Sequence, residues 1–330
     1  MDTVTPSALS AAEAARKIRE GLLTSEELVQ ACLERIHDLE PTVQAWTFLD
    51  EKHALAQARA ADERKRSGES IGALHGVPVG VKDIIDTGDM PTENGTVLHR
   101  GRAPRDDAKV VAMLRAAGAV ILGKTVTTEC AYFTPGKTRN PHNPEHTPGG
   151  SSSGSAAAVG AQMVPLALGS QTAGSVIRPA AYCGAFAIKP SFGAINRAGA
   201  KFLSESLDTI GIMARGADDL GLCMQVLTGR ALAGEPSRAP RIGLCRTPRW
   251  SLASPEIQRH VEQAAKALEK AGAKIQDFEL PAGSDQLFDR HKVVMAYETA
   301  RALGVRRKST SRIACASSRR IRRACSRIAS

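Results

Sequence analysis

The sequence predicts an α/β fold with a largely parallel or mixed sheet, preceded by a helical N-terminal section. Three observations carry this. From Gly72 onward, short apolar runs alternate with helical stretches across short connections. Residues 1–70 carry helical rather than strand periodicity. A hydrophobic content of 42% over 330 residues is enough for a sizeable core.

The elements follow in order. Thr24 and Glu27 form a capping box, and Leu28, Cys32 and Ile36 recur at helical spacing behind it. A second helix covers Lys52 to Arg66, and the two pack as a section on the rest. Val77 to Val81 reads as a strand, Asp107 to Ala117 as a helix and Ala119 to Leu122 as a strand. The small residues Ser152 to Ala161 form a helix leading to a strand at Val164 to Leu168. Ser175 to Tyr182 reads as a short helix and Ala185 to Ile188 as a strand. The pattern repeats once more as strand Arg241 to Leu244, helix Pro255 to Ala271 and strand Lys274 to Leu280, followed by a helix from Asp285 to Leu303. The chain thus divides into a helical section (1–70), an α/β domain (71–304) and a tail (305–330).

The formal charge of +10 belongs to that tail. Residues 306–330 hold nine Lys/Arg and no acids, while the rest holds 35 basic and 34 acidic residues. The body therefore gives no electrostatic reason to expect nucleic acid. The tail lacks sustained periodicity and reads as disordered or non-native. Seven cysteines, an odd number without a CxxC pair, argue against a disulfide framework or structural zinc and fit a cytoplasmic setting. The most apolar run, Ala156 to Leu168, is too short for a membrane span, and no signal peptide is apparent.

Three sequence features carry chemistry. Gly149-Gly150-Ser151-Ser152-Ser153-Gly154-Ser155 could be a linker, but an alanine-rich helix follows it directly. It is no P-loop, and its G-x-S-x-G match lacks the preceding strand that a nucleophile elbow needs. Gln171-Thr172-Ala173-Gly174-Ser175 precedes a helix, so its backbone N–H groups can face a developing oxyanion; taken alone, Ser175 reads as an N-cap. Lys82 ends a strand whose Val77, Val79 and Val81 share one face, leaving Lys82 on the other with Pro78 and Gly80. In isolation it reads as a lysine paired with Asp83 or Asp86; desolvated, its neutral amine can act as a base.

The run from Pro148 to Pro190, with Gly76-Val77-Pro78-Val79-Gly80-Val81-Lys82-Asp83 upstream, resembles the amidase signature family of serine hydrolases over residues 7–303. The resemblance implies a mixed, largely parallel sheet with helices on both faces. It implies hydrolysis of a linear carboxylic amide through an acyl-enzyme, without cofactor or metal. Ser175 would be the nucleophile, Ser151 a bridging serine after a cis Gly150–Ser151 peptide, and Lys82 the base. The N–H groups of Thr172, Ala173, Gly174 and Ser175 would form the oxyanion hole. A small-molecule amide would be the substrate, with a homodimer or an amidotransferase-type partner open.

The chain also departs from the family pattern. Gln171 stands where many members have Asp, Ala173 where they have Gly, and Arg178 lies one residue later than usual, which weakens a tRNA-amidotransferase assignment. Family members also continue well past the point, near Gly304, where the resemblance stops. Three other readings therefore stand beside the hydrolase: a truncated, inactive chain; an amidotransferase subunit needing a partner; and an α/β-hydrolase using Ser152 with Asp208 and His260.

Overall fold

The computed structural model describes residues 5–230 and 238–304; the basic tail falls outside the described residues. They form two units. The first comprises residues 5–230 and 298–304, the second 238–297.

The first unit holds α1 (Ala11–Glu20), α2 (Ser25–Val43), β1 (Trp46–Leu49), α3 (Glu51–Arg66), β2 (Pro78–Lys82), α4 (Lys109–Ala116), β3 (Val120–Thr125), α5 (Ser153–Gly160), β4 (Leu166–Gln171), α6 (Ile177–Cys183), β5 (Phe186–Ile188), β6 (Thr209–Ala214) and α7 (Ala217–Thr228). Its six strands run in the order β1-β3-β2-β4-β6-β5. The central pairings β3-β2 and β2-β4 are parallel, and the outer ones are antiparallel.

Period-two alternation sends each strand's side chains to opposite faces. Val79 and Val81 of β2, Leu166 and Leu168 of β4, and Ile210 and Ile212 of β6 join one core with α4 and α7. Ala167 and Met213 join the other with α2, α3, α5 and α6. The sheet is thus mixed and covered on both faces. The Thr24–Glu27 capping box is formed, and Leu28, Cys32 and Ile36 are buried behind it.

The second unit holds β7 (Arg241–Leu244), α8 (Pro255–Lys270), β8 (Lys274–Asp277) and the start of α9 (Leu287–Gly304). β7 and β8 pair in parallel, which is the strand–helix–strand repeat expected from the sequence.

Candidate active site

Because β2 and β4 are parallel neighbours, with Val81 level with Leu168, their C-terminal ends emerge on the same edge of the sheet. That edge is where open α/β sheets form binding crevices. Lys82 is the last residue of β2 and lies on the face opposite Val79 and Val81, fully buried. Its Nζ lies 2.7 Å from Ser151 Oγ and 2.9 Å from Ser170 Oγ, near the end of β4. The carboxylates are committed elsewhere: Asp83 lies 4.0 Å from Lys124, and Asp86 pairs with Arg102 at 2.6 Å. The paired-lysine reading of Lys82 is therefore corrected. Burial pushes its amine down to about 7, against a smaller upward pull from the charge of Asp208.

Ser151 lies in the turn before α5, and the Gly150–Ser151 peptide is cis. Both carbonyls flanking that bond are held. Arg178 donates to Gly150 O at 2.7 Å, and the Thr128 N–H donates to Ser151 O at 3.1 Å. The later placement of Arg178 in the sequence thus still serves this loop. Gly149 has φ +75°, and a Cβ there would lie 2.9 Å from Pro179 Cα, so only glycine fits.

Ser175 lies between β4 and α6, half-buried, and its carbonyl accepts the Ser152 N–H at 3.3 Å. The Ser151 and Ser175 loops are therefore directly bonded. The Ser175 hydroxyl has no hydrogen-bond partner among the described residues. Neither do the N–H groups of Ala173, Gly174 and Ser175, whereas those of Val176 and Ile177 donate to Gln171 Oε1 at 2.9 and 3.0 Å. Helix α6 starts at Ile177, two residues later than expected, because Gln171 reaches across the turn to cap it. Neither Ala173 nor Gly174 is in the left-handed region, so alanine at 173 brings no strain. Thr172 Oγ1 donates to Asp208.

The Ser152 alternative is corrected too. Ser152 is fully buried; its Oγ donates to Ser170 O at 3.3 Å and accepts from Ser170 N at 3.2 Å, which ties α5 to β4. Asp208 is occupied by Thr172, Leu203 and Ser204, and His260 is exposed on α8. Sequence reasoning missed Ser170 as a second hydroxyl on the Lys82 amine. Strand alternation gave no signal for it, since it puts Ser170 on the face of Leu166, Leu168 and Val81, opposite Lys82, and the two side chains meet where both strands end.

The family model described as Amidase matches residues 27–327. A glutamyl-tRNA(Gln) amidotransferase subunit of Chloroflexus aurantiacus is 39% identical over 299 residues, covering 83% of this chain and 60% of the relative. The same-named protein of Symbiobacterium thermophilum is 37% identical, covering 83% and 61%. The chain thus spans about 60% of the length of these curated relatives. Native peptide amidase from Stenotrophomonas maltophilia superposes with a TM-score of 0.80 at 34% identity, covering 90% of this chain and 67% of that one. A further crystal structure, of an amidase, gives 0.83 at 30% identity, covering 93% and 72%. Sheet, loops and sequence match agree: this chain belongs to the amidase signature family.

Proposed function

We propose that this chain hydrolyses the C–N bond of a carboxylic amide, with Ser175 as nucleophile, Ser151 as proton bridge and Lys82 as base. The observation that carries this is a fully buried amine, lowered to about 7 and 2.7 Å from Ser151 Oγ, on a loop bonded to the Ser175 loop. Near neutral pH such an amine is substantially deprotonated, and its lone pair can accept the Ser151 proton. Ser151 then takes the Ser175 proton as Ser175 Oγ attacks the amide carbonyl. The N–H groups of Ala173, Gly174 and Ser175, together with Thr172, receive the oxyanion; one such donor is worth on the order of 10²–10³ in rate. The proton returns through Ser151 to the leaving amine, and water hydrolyses the acyl-enzyme through the same relay. Ser170 Oγ is a second hydroxyl on the amine, at 2.9 Å.

A fluorophosphonate probe tests the nucleophile. It is expected to label the wild-type chain and to lose labelling in Ser175→Ala; persistent labelling of that variant removes the reading. A chain that takes no probe and shows strong dye binding with no near-UV CD signal supports the inactive-fragment alternative.

One observation favours a second reading, the 39% identity to a relative named as a glutamyl-tRNA(Gln) amidotransferase subunit. In that reading the same serine releases ammonia for a partner protein. Glutamine turnover that appears only on adding a partner supports it; full amidase activity of the chain alone rejects it. The five described cysteines form no disulfide among the described residues, which fits a reducing, cytoplasmic setting, and no described helix is long and apolar enough to cross a membrane.

A further inference from the structure

We propose that Asp208 is a positioning residue for this site: its carboxylate anchors the loop that carries Ser175. The inference rests on the hydrolase reading and adds a residue to it.

Strand register puts Asp208 there. β4 and β6 are antiparallel with Gln171 opposite Thr209, so Thr172 and Asp208 are the next residues along the ladder, one leaving β4 and one entering β6. The Asp208 side chain is buried at this crossing. One oxygen accepts from Thr172 Oγ1; the other accepts from the Leu203 N–H at 2.6 Å and the Ser204 N–H at 3.1 Å. A single carboxylate thus ties the first residue of the Ser175 loop to the 203–208 turn. Gln171 holds the far end of the same loop through Val176 and Ile177. Residues 173–175 lie between these two anchors, so their N–H directions are set before substrate arrives.

The turn that Asp208 closes is braced further. Around Asp208, Arg197 donates to the carbonyls of Glu205 and Asp208 while its guanidinium lies over Phe192 and Phe202. Glu298 of α9 bonds Ser204 and Ser206 on that turn. Among the described residues no cation forms an ion pair with the Asp208 carboxylate.

Substitution at the anchor tests this. Thr172→Val removes the hydroxyl that donates to Asp208, Thr172→Ser keeps it, and Asp208→Ala removes the acceptor. The readout is the pH profile of Ser175 modification by a fluorophosphonate, using the full chain. In Thr172→Val and Asp208→Ala the plateau rate is expected to fall several-fold, with the acid limb of Thr172→Val unmoved, and Thr172→Ser is expected to restore the rate. A full rate in Thr172→Val, or a loss that Thr172→Ser does not restore, overturns the assignment of Asp208 and leaves the hydrolase reading standing. Labelling that survives Ser175→Ala overturns the hydrolase reading and, with it, this one. The Thr172 pair decides the anchoring role even where Asp208→Ala does not fold.

Discussion

Lys82 takes its amine into the interior beside two hydroxyls, with no carboxylate in hydrogen-bond contact among the described residues, and its pH behaviour follows. The neutral amine is the proposed base, so probe labelling is expected to rise with pH through about 7 and then level off. Lys82→Met is expected to lower the rate by on the order of 10²–10⁴. The folded amine is lowered from 10.5 to about 7, so between those values the unfolded chain binds a proton that the folded chain does not. Stability therefore rises with pH across that window, and this group contributes no slope below it. Lys124, lowered to about 8, acts with the same sign over a narrower range. Urea unfolding of wild type against Lys82→Met isolates the Lys82 part: the variant should show the shallower rise.

At the scale of elements, the site depends on close backbone approach. α5 is built of small residues and, apart from Gly160, is buried along its length, so it nests against the sheet and α6. In β6, a Cβ on Gly211 would lie 2.7 Å from Val176 Cγ2 and 2.9 Å from Ile188 O, so the strand passes directly under the residue after Ser175. Gly211→Ala is expected to destabilise the protein by about 1–3 kcal/mol in urea unfolding and to slow labelling as Val176 shifts. That glycine is also why β6 is hard to read: it breaks the apolar run and weakens strand propensity. β1 escaped for another reason, being four residues between two helices with a register shift against β3. The ends of β3 and β4 were set too short because Gly123-Lys124 and Gly169-Ser170-Gln171 do not look like strand, although ladder bonds carry it through them.

At the scale of the molecule, a second buried lysine holds the segment after β2 in place. Lys124 Nζ bonds Ile85 O at 2.6 Å and lies 4.0 Å from Asp83, whose carboxylate accepts the N–H groups of Glu93 and Gly95. Removing one charge leaves the other buried and unpaired. Asp83→Asn or Lys124→Met alone is expected to cost about 3–5 kcal/mol, and the double variant less than their sum. A double-mutant cycle by chemical denaturation measures the difference. The sequence alone determined the α/β class, the faces of β2, the capping box of α2 and the three polar motifs, because each is written in local spacing and turn chemistry. Only the tertiary structure decided that Lys82 meets Ser151 and Ser170 rather than Asp83 or Asp86, that Gln171 caps α6, and that Asp208 meets Thr172. Those partners lie tens of residues apart or across a turn, and strand order and register bring them together, neither of which is written in any local stretch of chain.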